Sequence, residues 1–182
     1  MKKIKILLLV FALGFISCER DDICAESTAT TPQLIIEFYD ASNPDDLKSV
    51  PRLTVYGEGL PNPNPPETAV DETIIFNTNT NAISLPLLIG NEGETTTSRF
   101  ILEQDTNLRL DEDDTTVSNI DIIDISYTSE FIYVSRACGY KSIFNNLDLD
   151  IEAIDGTFWI NNIEITETTI ENENTVHVRI LH

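Results

Sequence analysis

The chain has 182 residues and a formal charge of −20, from 11 Lys and Arg against 31 Asp and Glu. Proteins grip phosphate backbones with Lys and Arg, so this balance excludes nucleic acid as a partner and gives the body no attraction to anionic head groups. Such acidity is common in disordered chains, but 41% of these residues are hydrophobic and they are patterned, which points to a folded domain.

Lys2, Lys3 and Lys5 precede an apolar run of 11 residues at 6–16, interrupted only by Gly14. A membrane span needs about 20 such residues, whereas a positive start before a run of this length is the pattern of a secretory signal. No small-residue pattern for an ordinary signal peptidase stands at its end. The run closes instead on Phe15-Ile16-Ser17-Cys18. This resembles the lipobox of bacterial lipoproteins, with Phe15 where Leu is usual. The resemblance makes residues 1–17 a lipoprotein signal helix and Cys18 the acylated, palmitate-bearing first residue of the mature chain. Loss of the three lysines with that segment takes the charge from −20 to −23. Glu19, Arg20, Asp21 and Asp22 follow, and resemble the lipoprotein export signal of the Bacteroidetes, which directs a lipoprotein to the outer face of the outer membrane. The alternative is a solvated tether.

Three cysteines occur in the chain. With Cys18 acylated, Cys24 and Cys138 remain, and an exported compartment permits a disulfide. The expectation is that they pair and pin the start of the domain to its second half; the alternative is two free thiols. In the chain-entropy model a bridge over more than a hundred residues contributes up to about 4–5 kcal/mol.

Residues 26–32 are small and polar and read as the end of a tether. A first strand is predicted over 33–39, then a turn-rich loop over 40–46, where Pro44 begins at most one helical turn. A second strand covers 53–56. Residues 57–66 hold Gly57, Gly59, Pro61, Pro63, Pro65 and Pro66, too many breakers for any regular element. Strands are predicted at 72–76 and 82–87 around the Asn/Thr segment 77–81, and at 97–104. Asp111-Glu112-Asp113-Asp114 is an acidic loop.

Residues 119–127 alternate, with Ile123, Ile125 and Tyr127 on one side and Asp124 and Ser126 on the other. Thr128-Ser129 is expected to turn the chain, so that 131–135 runs back as a hairpin partner. Residues 138–141 read as another turn. Leu147, Leu149 and Ile151 point inward from the next strand, opposite Asp148, Asp150 and Glu152. Asp155-Gly156 is a strong turn signal. Strands are predicted at 157–160 and 163–166 around Asn161-Asn162, with a last one over 175–181. No sustained 3.6-residue period follows Cys18. Many short strands rich in Thr, Ile and Val predict an all-β, antiparallel sandwich, Ig-like or related.

The segments Cys18-Glu19-Arg20-Asp21-Asp22-Ile23-Cys24 and Leu34-Ile35-Ile36-Glu37-Phe38-Tyr39-Asp40, and above all Ser135-Arg136-Ala137-Cys138-Gly139-Tyr140-Lys141, resemble a Bacteroidetes family of small lipoproteins classed as a domain of unknown function. The resemblance covers most of the mature chain. It implies an envelope lipoprotein, supports Cys18 as anchor and a Cys24–Cys138 pair, and implies no activity.

Chemical motifs are sparse. Zinc sites need closely spaced Cys and His, and only His177 and His182 stand beside no Cys-x-x-Cys. The acidic loop 111–114 offers oxygens for calcium, against the simpler reading of a solvated loop. Asp148-x-Asp150-x-Glu152 resembles the start of an EF-hand, but Ala153 stands where that loop needs Gly and Trp159 where it needs Glu. His177 alternates with Val176 and Val178, which suits a solvent-facing or cross-strand side chain rather than a general base; His182 is terminal and expected to be loose. There is no Gly-x-Ser-x-Gly elbow. The Gly57-x-Gly59 and Gly90-x-x-Gly93 loops lack the Lys and helix of a phosphate site. Trp159, Tyr133 and Tyr140 are candidates for a sugar platform, with core burial the expectation for Trp159. Asp114-Thr115-Thr116 resembles the Bacteroidetes O-glycan acceptor, with Thr115 as the modified residue.

These readings predict an outer-membrane lipoprotein with signal peptide 1–17, lipidated tether 18–32 and one domain at 33–182. No metal, cofactor or catalytic residue is expected. The expected role is non-enzymatic: a binding or accessory module of the cell envelope, attached to the membrane by its lipid and presenting loops to an outer-membrane protein. A surface glycan or adhesion binder is the second reading, and a carboxylate-pair hydrolase the third.

Overall fold

The computed structural model describes residues 23–25, 28, 30–111, 115–154 and 156–182. Among the described residues ten strands and one short helix follow in the order β1 (Leu34–Asp40), β2 (Asn43–Leu47), β3 (Val50–Gly57), β4 (Thr73–Thr80), β5 (Ala82–Leu85), β6 (Thr95–Gln104), α1 (Thr106–Leu110), β7 (Asn119–Ser135), β8 (Gly139–Ala153), β9 (Asn162–Ile165) and β10 (Val178–Leu181). The class is all-β, as the absence of helical periodicity predicts. The first sheet has the order β2-β1-β10-β9, with β5 also beside β1; the second has the order β4-β3-β6-β7-β8.

Period-two alternation builds the core. Leu34, Ile36 and Phe38 of β1 and Val178 and Ile180 of β10 join Leu53, Val55, Phe100, Leu102, Ile123 and Ile125 of the second sheet in one buried cluster. Full burial of each such side chain contributes about 1.5–3 kcal/mol. The opposite parity of the second sheet carries a smaller cluster, Tyr56, Ile101 and Ile122, directly opposite one another across three strands.

Not every pairing is antiparallel. β1 and β10 run parallel, with Ile36 opposite Val178 and Phe38 opposite Ile180, so the two ends of the domain lie side by side. The expected turn at Thr128-Ser129 is also replaced. β7 continues to Ser135, with Thr128 opposite Asn145 and Ser129 opposite Phe144. The chain reverses at 136–138, where Gly139 supplies a φ of 71° that a side chain disfavours and the Cys138 amide donates to Ser135 Oγ at 3.1 Å. Ser129 is buried and its hydroxyl accepts from the Gly90 amide, so it serves as a strand residue rather than a turn.

Residues 43–47 form an edge strand rather than a loop or helical turn. Leu47 pairs with Tyr39, and an edge is where a strand tolerates Pro44. β4 runs on through the Asn/Thr segment because a bulge, with Asn77 at positive φ, absorbs the irregularity. Residues 157–160 are not a strand. Their amides find a side chain instead: the buried carboxylate of Asp121 accepts from Trp159 N at 3.0 Å and Ile160 N at 2.8 Å. α1 is unforeseen; at five residues it carries no legible period.

Candidate functional site

Cys18, the export-signal residues Glu19 to Asp22, and Glu112 to Asp114 of the acidic loop lie outside the described residues. Thr115 is exposed, and the Asp111 carboxylate accepts from the Thr116 hydroxyl. Asp148, Asp150 and Glu152 are exposed along β8 rather than gathered into a loop. Among the described residues no three His, Cys, Asp or Glu side chains gather to hold a metal ion.

Cys24 and Cys138 form a disulfide across a separation of 114 residues, the pairing the cysteine count favoured over free thiols. The bridge sits at the tip of the β7–β8 hairpin. There Tyr133 and Tyr140 are cross-strand partners, their rings 5.4 Å apart and tilted by 69°, and they are 58% and 69% exposed. Thr31, just before β1, reaches the same hairpin: its Oγ1 accepts from the Ser142 amide at 2.9 Å. Lys141 donates to the Glu171 carbonyl at 3.1 Å.

Trp159 is only 7% exposed, donates Nε1 to the Leu102 carbonyl and packs on Phe38. It belongs to the core and is not part of an aromatic platform. His177 is buried and cross-strand. Its Nδ1 accepts from the Ile35 amide at 2.9 Å while its own amide donates to the Ile35 carbonyl, so the ring stands in for a backbone acceptor where β10 begins. Burial, partly offset by the Asn172 backbone and the Glu167 and Glu173 carboxylates, lowers its pKa, in keeping with a neutral acceptor nitrogen. His182 is not loose. Its amide donates to Tyr39, its carbonyl accepts from Ala41 N and Lys48 Nζ, and its ring packs edge-on against Phe38 and Trp159.

Two buried carboxylates went unrecognised in the sequence. Glu103 is gripped by Arg109 of α1 through two bonds of 2.6 and 2.9 Å and receives the Ser118 hydroxyl; Arg109 also donates to the Pro66 carbonyl. Asp121 shares the inward parity of Ile123 and Ile125, and that parity was the available signal.

A cleft of about 410 Å³ lies between the proline-rich segment after β3 and the segment after β5. Its walls are Leu60, Ile74, Pro86, Leu87, Leu88 and Phe100, and Glu58 and Arg99 stand among its lining residues. Leu60 and Leu88 are 60% and 62% exposed. One wall is anchored from beneath. Tyr127 donates its hydroxyl to the Leu88 carbonyl at 2.7 Å and lies 2.6 Å from Ser98 Oγ, which accepts from the Leu88 amide at 3.0 Å. The other wall closes tightly on its strand: a Cβ on Gly57 would approach Leu60 Cδ1 to 2.8 Å. Arg99 is held by Glu58 at 3.1 Å, by Asp124 at 2.6 Å and by Glu152. Volume and lining suit an apolar ligand or side-chain cluster. Sequence reading took the Leu60 wall for a surface loop and ran a strand through Leu87 on the other, where the observed strand ends at Leu85; the signal was the apolar Leu60 and Leu88-Ile89 placed among breakers.

The chain belongs to a family of unknown function, DUF6452, which matches residues 52–182. No curated protein and no solved structure matches it.

Proposed function

We propose that this DUF6452 protein is a non-enzymatic binding module of the bacterial outer membrane. In this reading residues 1–17 are a lipoprotein signal peptide with a signal helix, Cys18 carries the acyl chains, 18–32 is the tether, and 33–182 is a single β-sandwich whose two sheets pack face to face. The pre-formed apolar cleft carries the functional part. Two exposed leucines, Leu88 on a wall held by Tyr127 and Ser98 and Leu60 packed close over Gly57, offer a docking surface at little ordering cost. Its occupant is an apolar segment of an envelope protein.

The competing readings have less support. A glycan platform loses Trp159 to the core. A carboxylate-pair hydrolase needs two acids converging on a pocket. Glu103 is consumed by Arg109, and Asp121 by the Trp159 and Ile160 amides. The test is a photo-reactive amino acid placed at Leu60, Leu88 or, as a control on the first sheet, the exposed Asn162, with crosslinking in intact cells. A shared adduct from Leu60 and Leu88, absent from Asn162 and lost with Cys18→Ala, is expected. Equal labelling at all three positions, or none at the leucines, overturns the cleft as the binding surface.

A further inference from the structure

We infer that the tyrosine-tipped end of the β7–β8 hairpin rests on the phospholipid surface, and that the Cys24–Cys138 disulfide holds it there. The inference rests on the lipid-anchor reading of Cys18. Six residue steps lead from Cys18 to Cys24. At about 3.5 Å per residue they reach roughly 20 Å when fully extended. Cys24 is bonded to Cys138 at the hairpin turn, so the turn cannot stand farther than that from the acylated residue. Without the bridge, the hydrogen bond that ties the described part of this segment to the hairpin is that of the Ser142 amide to Thr31. The leash would then be 13 residues, or about 45 Å. The disulfide therefore more than halves the distance over which this end can wander.

What that end presents suits an interface. Tyr133 and Tyr140 are exposed side by side, with Ile23 exposed on the tether and Phe131 partly exposed on the Tyr133 face of β7. Tyrosine, with an apolar ring and a polar tip, is the residue type that gathers at head-group level. Lys141 flanks Tyr140 on a chain with 11 basic residues in all. The acidic body is repelled by anionic lipid, so the favoured surface is zwitterionic and the contact is aromatic rather than ionic. Docking this end fixes which way the cleft faces.

The test uses the full lipidated chain reconstituted in zwitterionic phosphatidylcholine vesicles, with or without brominated acyl chains. In the native protein the one indole is Trp159, buried in the core, and its emission should change by less than about a tenth with bromine. In Tyr140→Trp the added emission should fall about twofold in brominated vesicles. Inserting a twelve-residue Gly-Ser segment between Asp22 and Ile23, which leaves disulfide and domain intact, should abolish most of that quenching. A protein that carries acyl mass and floats with vesicles, yet whose added indole is unquenched, overturns docking and leaves the anchor standing. Unchanged quenching with the lengthened leash overturns the role of the disulfide. A chain without acyl mass that does not float overturns the anchor reading, and the docking inference with it.

Discussion

The two sheets are held by different means. In the second, β6 and β7 stay in register over ten consecutive pairs from Thr95–Thr128 to Gln104–Asn119, and β7 and β8 run beside each other for almost their whole length. In the first, β5, β9 and β10 have four residues each. Side chains complete what such short ladders leave open. His177 takes the Ile35 amide, and the last residue, His182, ties β1 to Lys48 through carbonyl and ring. The long ladder shares its stability among many backbone bonds. The short one concentrates it in a few buried polar side chains, as does the Glu103–Arg109 contact that holds α1 to β6. Single substitutions should therefore weigh very differently according to where they fall.

The heaviest loss is expected at the buried polar contact between β6 of the long sheet and α1. Arg109→Ala leaves the Glu103 carboxylate buried with only the Ser118 hydroxyl, since both guanidinium bonds go. Removing one partner of a buried ion pair costs about 3–5 kcal/mol. In a domain of this size that is a fall of roughly 10–15 °C in Tm by calorimetry. Glu103→Leu/Arg109→Leu should recover most of it, because no charge is then left buried. If Arg109→Ala lost less than about 1 kcal/mol, the ladder rather than the buried contact would be holding α1 and the Pro66 segment in place.

The same division decides what could be read from the sequence. β7 and β8 were legible because a strand with one face in the core alternates, as Ile123, Ile125 and Tyr127 and then Leu147, Leu149 and Ile151 do, although Ile122 adds an apolar residue on the other face. The end of β7 was misjudged because Thr128-Ser129 has turn chemistry locally. Only the partner strand, with Phe144 opposite Ser129, shows that the ladder continues. The non-strand at 157–160 was invisible for a related reason: its acceptor is Asp121, almost forty residues earlier. The parallel pairing of β1 with β10 leaves no local mark. As for the sites, the cysteine count and the expected export compartment pointed to Cys24–Cys138, whereas the cleft arises from two loops brought together by β3, β5 and β6.

A smaller effect, with a pH signature, is expected in the short sheet. His177→Ala removes the acceptor of the Ile35 amide, at about 1–3 kcal/mol, or roughly 4–8 °C in Tm. Burial lowers the pKa of both His177 and His182 from 6.5, so folding favours their neutral forms. Their contribution is complete above pH 6.5, where the unfolded chain is also neutral, and is lost as the pH falls from there through the lowered folded values. Denaturation midpoints measured between pH 8 and pH 5 should fall on acidification in the native protein and more gently in His177→Ala. Parallel profiles would show that this ring does not need to be neutral to complete the sheet.

The least effect belongs on the open face of the long ladder. Thr97 is exposed and stands opposite Ser126, its hydroxyl 3.2 Å from the serine's. Thr97→Val removes that bond, but both hydroxyls face solvent and water replaces the partner. The β-branched shape that suits a strand is kept. The backbone bonds on either side, from Thr96–Tyr127 to Ser98–Ile125, do not depend on the side chain. Stability should stay within about 0.5 kcal/mol of the native protein in urea. A loss comparable to that of His177→Ala would mean that side chains, not backbone register, hold the long sheet as well, and the contrast between the two sheets would fall.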